Sequence, residues 1–286
     1  MTILVTAASG QLGHLVIDAL LARGASPDSI VAGARTVAKA ADLADKGVRV
    51  VPLDYTVPEL IDTALEGVDS VLLISGSDPG ARLAGHVNVI EAAARAGVKK
   101  LAYTSVSHAD TSELVLAPDH KATEEAIAAS GIPAVLLRNN WYIENSAGDL
   151  ATAAQTGVLS AAVGDAAISA AARIDFAEAA AAVMLDDAHI GRTYELAGPR
   201  ATYSDIAAAM SEVLGREVVY APATAEELAA RLSSFGLDEG TVGFVVALDT
   251  GIARGDLDVT DSALTDLIGR PATSWVDALR AIAPAS

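Results

Sequence analysis

A doubly wound α/β fold built on a parallel sheet is the expectation for this sequence, and three observations carry it. Short β-branched runs alternate with alanine-rich helical runs through the first 140 residues. Several of those runs, such as SVLLI at 70–74, are apolar throughout, as strands buried on both faces are. Strands separated by helices require βαβ crossovers, whose right-handedness makes the doubly wound topology the economical one. With 286 residues the chain can bury a full core in one or two domains.

Each element has its own signal. Residues 2–6 (TILVT) read as a strand, and 11–23 as a helix with Leu12, Leu15, Val16, Ala19 and Leu20 at helical spacing. A strand at 30–34 precedes a helix at 37–46 that Gly47 stops; a strand at 48–52 precedes a helix at 58–66. Next come a strand at 70–74, a helix at 81–96 ended by Gly97, and a strand at 100–105. A helix at 118–130 and a sixth strand at 133–137 complete the alternation. Beyond Leu150 the rhythm shifts to helical stretches at 175–186, 203–214 and 224–235, with a strand at 193–196 that returns to a sheet. The expected division is residues 1–150 as the sheet domain and 151–286 as a smaller, mostly helical domain.

Composition removes several classes of function. The formal net charge of −18 argues against binding nucleic acid or an anionic membrane, which call for basic patches. The absence of cysteine excludes disulfides, thiolate zinc sites, Fe–S clusters and a cysteine nucleophile. The five histidines show no paired ligand spacing, so no metal site is expected, and no GxSxG elbow supports serine hydrolysis. No apolar run reaches the roughly 18 residues of a membrane helix, and the N-terminus reads as a strand; a cytoplasmic protein is the expectation.

The strongest local signal is VTAASGQLG at 5–13, between the first strand and the first helix. A tight turn there brings backbone N–H groups and a helix N-terminus against a pyrophosphate. Gly10 and Gly13 fill the last two places of a GxxGxxG spacing, and Ala7 stands where the first glycine is usual, a departure that matters if the backbone there needs a positive φ. The plain alternative is an ordinary strand–turn–helix corner. The second strand ends at Arg35, with Lys39 one turn later and no carboxylate between Asp28 and Asp42. A cation at this place suits the 2′-phosphate of NADP, whereas NAD binders carry an acid; a solvated surface arginine is the bland reading.

SGQLG (9–13), LLISG (72–76), AYTSVSHADTS (102–112), DHKATE (119–124), LRNNWYIEN (137–145), RIDFAEAAA (173–181), YELAGP (194–199) and LIGRPAT (267–273) together resemble the NmrA-like, atypical short-chain dehydrogenase/reductases. Within them the likeness is to bacterial type-2 NAD(P)H:quinone oxidoreductases, with triphenylmethane reductases related. The resemblance implies a Rossmann fold that binds NADPH without flavin. It implies a cofactor site of Thr6, Ser9, Gly10, Gln11, Leu12 and Gly13 at the pyrophosphate and Arg35 with Lys39 at the 2′-phosphate. Asp54 and Tyr55 would lie beside the adenine, and Ile74, Ser75 and Gly76 at the fourth strand's end. Thr104 and Ser105 would approach the nicotinamide, and Asn139, Trp141 and Tyr142 would roof it and line the substrate cleft. Plainer roles stand beside these: Asp54 as a helix cap, and Trp141 and Tyr142 as packing between domains.

The Tyr-xxx-Lys pair of orthodox short-chain dehydrogenases is missing; His120 and Glu124 occupy those helix positions. A quinone needs no such pair, because it accepts hydride directly and spreads the product charge over its ring. Asn139, Tyr142 and His120 are the candidate hydrogen-bond donors to that charge, with a surface histidine as the plain reading of His120. The expected activity is a flavin-free NADPH-dependent reductase with a small quinone-like substrate. The alternatives are an NADPH reductase of a dye, imine or activated alkene, and a non-catalytic NADP(H)-sensing regulator. An apolar helical face is available to a homodimer.

Overall fold

The computed structural model describes residues 1–76 and 82–283. The first half runs β1 (Ile3–Val5), α1 (Gln11–Ala22), β2 (Ile30–Ala34), α2 (Ala41–Asp45), β3 (Arg49–Pro52), α3 (Pro58–Ala64), β4 (Ser70–Leu73), α4 (Arg82–Arg95), β5 (Lys100–Val106), α5 (Ala117–Ser130) and β6 (Ala134–Asn139). Then follow α6 (Ala147–Thr156), β7 (Val158–Leu159), β8 (Ala167–Ile168), α7 (Arg173–Leu185), β9 (Thr193–Leu196), β10 (Ala201–Thr202), α8 (Tyr203–Leu214), β11 (Val219–Tyr220), α9 (Ala225–Ser234), α10 (Glu239–Arg254), α11 (Ala263–Ile268) and α12 (Trp275–Ile282). Seven strands form one parallel sheet in the order β3-β2-β1-β4-β5-β6-β9, the doubly wound order with one added edge strand.

The two-residue period of the strands divides the core. Ile3, Val5, Ile30, Ala32, Leu72, Val135 and Leu137 face α1 and α7, with Phe176 and Met184 of α7 buried among them. Leu4, Val31, Val71, Leu73, Leu101 and Tyr103 face α3, α4 and α5. A third cluster joins α6, α8, α10 and α12 around Leu150, Met210, Ile252 and Leu279. The strand predicted at 193–196 is the seventh strand, parallel to β6. The helix predicted at 175–186 begins at Arg173 and covers the sheet beside α1.

Some expectations need correction. The single helix expected at 37–46 is a 3-10 turn, Val37–Ala40, followed by α2. Its break falls at Ala40, whose φ of −123° leaves the helical region. The sixth strand, expected to end at 137, extends through Arg138 and Asn139, so Asn139 is held in the ladder rather than beyond it. Ala81, placed in the predicted fourth helix, lies outside the described residues.

Candidate functional site

A cavity of about 560 Å³ opens beyond the C-terminal ends of β1, β2 and β4, at the reversal of strand order. Ligands of open α/β sheets bind at such a place. Ser9, Gly10, Gln11, Leu12, Gly13, Arg35, Lys39, Asp54, Tyr55, Ile74, Ser75 and Gly76 all line it. The glycine turn is built by close backbone approach: Ala8 N–H donates to the Gly33 carbonyl (2.9 Å) and Gly10 N–H to that of Ala7 (2.9 Å). A Cβ on Gly13 would lie 2.5 Å from the Ala7 oxygen, so no larger residue fits. Gly10 is the N-cap of α1 and supplies no capping side chain, which leaves the first N–H groups of α1 facing the cavity. Ala7 has φ +48°. It therefore does occupy the left-handed region, at a cost of roughly 1–2 kcal/mol for a residue bearing a Cβ.

Charge is arranged for an anion at the outer end. Among the described residues, neither Arg35 nor Lys39 has an ion-pair partner. Asp54 does not cap α3, whose N-cap is Val57. Its Oδ1 accepts from the Thr56 N–H (2.9 Å) and hydroxyl (2.7 Å), and these bonds, with Arg35 nearby, hold its carboxyl below the usual range. Tyr55 is pinned under the floor, donating to the Ile74 carbonyl (2.7 Å) with Thr6 Oγ1 2.5 Å away. A Cβ on Gly85 would meet Tyr55 Cβ at 2.9 Å, so that glycine lets the tyrosine seat.

Thr6 and Thr104 sit beneath the cavity and do not line it. Thr6 Oγ1 accepts from Ile74 N–H (2.9 Å) and Thr104 Oγ1 from Ser75 N–H (2.9 Å). Gly76 N–H donates to His86 Nε2 (2.9 Å). Nδ1 of His86 therefore carries the proton, toward Thr123 Oγ1 (3.0 Å), which in turn donates to the Asp119 carbonyl (2.8 Å). The strand ends that shape the cavity thus hang on buried side chains.

His120 is not a surface histidine. It is 4% exposed, between Arg82 Nη1 (3.1 Å from Nε2) and Tyr103 Oη (2.8 Å from Nδ1). Arginine only donates, so Nε2 accepts and the ring is neutral. Burial, then Arg82, pulls its pKa down to about 3. Ser105 and Glu124 are likewise committed. Ser105 donates to Glu124 (2.6 Å), and Glu124 takes Nε (3.0 Å) and Nη2 (2.7 Å) of Arg138. Arg138 also reaches Asp110 (2.7 Å) and Glu195 (3.1 Å). The helix positions of the missing Tyr-Lys pair therefore hold structural groups.

Asn139 donates through Nδ2 to Tyr142 Oη (3.2 Å), while its Oδ1 is buried with no hydrogen-bond partner. Asn140 ties Ser107 to the Leu257 carbonyl. Tyr142 packs edge-on against Phe176, with the Arg173 guanidinium 4.8 Å over its ring. Trp141 faces away, into a separate cavity. Sequence reasoning missed Arg82 and Arg173, which both line the same cavity as the glycine turn. A signal for Arg173 existed: it opens α7, where the helix dipole disfavours a cation, and such local misfits mark sites.

Comparison with known proteins agrees with this geometry. The model of the NmrA-like family matches residues 1–247. The chain belongs to the NmrA-like family. Over 97% of its length it is 42% identical to quinone oxidoreductase 2 of Escherichia coli, covering 97% of that protein. The NmrA-like fold superposes on an Escherichia coli NADPH-dependent quinone oxidoreductase complexed with NADPH, with TM-score 0.94, 41% identity and 98% and 99% of the two chains covered. It also matches Citrobacter sp. triphenylmethane reductase complexed with NADP(H), with TM-score 0.93, 36% identity, and coverage of 99% and 100%.

Proposed function

We propose that this NmrA-like protein is a flavin-free, NADPH-dependent reductase that delivers hydride to a quinone-like acceptor. The observation that carries the reading is the cofactor cavity: a glycine turn, an uncapped helix N-terminus and two cations with no ion-pair partner among the described residues, Arg35 and Lys39. The likeness to quinone oxidoreductase 2 supports the acceptor class. NADPH, when bound, supplies the hydride. Ser9 to Gly13 hold the pyrophosphate by backbone N–H groups, Arg35 and Lys39 hold the 2′-phosphate, and Asp54 with Tyr55 flank the adenine. Asn139 Oδ1 is the acceptor left for a carboxamide N–H. Because Tyr142 Oη accepts from Asn139, its own proton is free for an acceptor oxygen. Burial raises the Tyr142 pKa, so it donates a hydrogen bond rather than releasing the proton. His120, neutral and held on both ring nitrogens, positions Arg82 and supplies no proton.

In this reading the cofactor part takes residues from both sides of position 150, since α7 and β9 complete the sheet layers. Among the described residues no helix is long and apolar enough to cross a membrane. The test is NADPH oxidation by the purified protein over a quinone panel, with nicotinamide fluorescence reporting binding. Quinone-dependent oxidation is expected. Binding without oxidation of any quinone would overturn the acceptor assignment in favour of a sensing role.

A further inference from the structure

Strand order gives the cavity of the glycine turn two sides. β1 and its turn lie at the middle, β2 with Arg35 on one side, and β4, β5 and β6 on the other. A dinucleotide straddles such a reversal, one mononucleotide half on each side. Helix α7 packs beside α1 and across β4, β5 and β6, and it leads into β9, which is parallel to β6. Its N-terminus therefore stands at the same sheet edge as that of α1, on the side away from Arg35. Arg173 is its first residue and lines the cavity. Two anchors fix this first turn without using the guanidinium. The Arg173 N–H is held by both oxygens of Glu144 (2.8 and 3.0 Å). Asp175, fully buried, accepts from Arg270 Nη2 (2.7 Å) and from the Thr273 N–H (2.8 Å) and hydroxyl (2.9 Å).

The guanidinium itself is left open. Among the described residues no carboxylate lies in ion-pairing range of it, and its one hydrogen bond, from Nη2 to Asn145 Oδ1, is long at 3.4 Å. Arg82, the other arginine on this side of the cavity, is committed to His120 (3.1 Å) and Asp119 (3.4 Å). The Arg173 guanidinium lies 4.8 Å over the Tyr142 ring, and Tyr142 Oη accepts from Asn139 (3.2 Å). Asn139, 4% exposed, keeps a buried Oδ1 with no hydrogen-bond partner. A cation, a phenol and an orphaned carbonyl oxygen thus stand in sequence. They match a phosphate, an acceptor oxygen and a carboxamide N–H, the groups that a nicotinamide half and its acceptor bring. Burial, with Glu144, holds the proton on Tyr142; the Asn139 bond and Arg173 act against it and so strengthen the hydroxyl as a donor. Resting on the NADPH reading above, we propose that Arg173 is a bridging residue. Its N–H groups take a phosphate oxygen of the nicotinamide half, and its charge over the ring positions Tyr142 for the acceptor. An occupied cofactor side thereby sets the acceptor side.

The experiment measures the affinity of the full chain, Arg173→Ala, Arg173→Lys and Arg35→Ala for NADPH and NADH by nicotinamide fluorescence, and for adenosine 2′,5′-bisphosphate by calorimetry. The bisphosphate carries the adenine half with its 2′-phosphate and lacks the nicotinamide-side phosphate. Arg173→Ala should weaken NADPH and NADH about tenfold and leave the bisphosphate within about twofold of the wild type. Arg173→Lys, which keeps the charge, should recover most of the loss. Arg35→Ala should do the converse, weakening NADPH and the bisphosphate and sparing NADH. At saturating NADPH, Arg173→Ala should lower kcat for a quinone about fivefold, and by less than about twofold in a Tyr142→Phe background. Thermal melts check the folds, and Arg173→Gln carries the test if Arg173→Ala unfolds. Unaltered affinity for NADPH and NADH, an equal loss for the bisphosphate, or the full kcat effect in the Tyr142→Phe background would each overturn the proposal. A wild type that binds no NADPH fails differently, removing the cofactor reading and the proposal with it.

Discussion

Arg35 and Lys39 line the cavity of the glycine turn with no carboxylate in ion-pairing range among the described residues. Arg138, at the end of β6, is held by Glu124, Asp110 and Glu195 at once. The two regions lie in one acidic chain and use cations in opposite ways. A pair closed within the fold fixes strand ends and helix position and has little attraction left for a ligand. A cation left open beside a helix N-terminus has its attraction intact for an anion. The α5 wall therefore serves as scaffold, although it occupies the place of the missing Tyr-Lys pair, and the glycine-turn end keeps its cations open to a ligand.

Breaking the scaffold should cost stability first. Glu124→Gln leaves Arg138 buried with part of its charge unmatched and should lower unfolding free energy by about 3 kcal/mol in denaturant titration. NADPH affinity of the folded fraction should stay near that of the wild type. The buried imidazoles give a smaller, pH-dependent version. His86 and His120 are neutral in the fold, with pKa values pulled down to about 4 and about 3 by burial and Arg82. Unfolded, each takes up a proton below about pH 6.5. Their contribution is thus complete above that pH and declines as pH falls toward the folded values. Each should remove about 2 kcal/mol of stability between pH 6.5 and pH 5, seen in melts across that window. His120→Gln should flatten the slope by its share.

On the site side, Arg173 sharpens the comparison. It lines the same cavity; its main-chain N–H donates to the Glu144 carboxylate (2.8 Å), while its guanidinium has no carboxylate in ion-pairing range among the described residues. On the proposed reading, Arg173→Ala should weaken NADPH and NADH alike, by about tenfold in fluorescence titration, since Arg173 opens α7 over the Tyr142 ring and is not one of the cations assigned to the 2′-phosphate. The smallest effect concerns Ala7. Its φ of +48° suits glycine, so Ala7→Gly should raise stability by roughly 1 kcal/mol, readable as a higher Tm without loss of cofactor binding.

Much of the fold was legible because it rests on local periodicity. Apolar runs such as 70–74 became central strands, and the glycine turn lies where the strand–turn–helix pattern placed it. The residues of that half that line the cavity were legible for the same reason, as Arg35 follows directly from the end of β2. What escaped notice depends on distant parts of the chain. Nothing local shows that Glu124 answers Arg138, that Thr104 supports Ser75 N–H, or that Arg173 reaches a cavity built by residues 7–85. Trp141 and Tyr142 look alike in sequence, yet the extended backbone at Tyr142 sends Trp141 into a cavity and Tyr142 against Phe176 and Arg173.

Affinity of the wild type and of Arg35→Ala for NADPH and NADH, measured side by side by nicotinamide fluorescence, tests the central claim most directly. The account predicts that the wild type prefers NADPH, and that the variant loses on the order of a hundredfold for NADPH and little for NADH. Equal losses for both cofactors, or none for either, would contradict the assignment of the open cations to the 2′-phosphate.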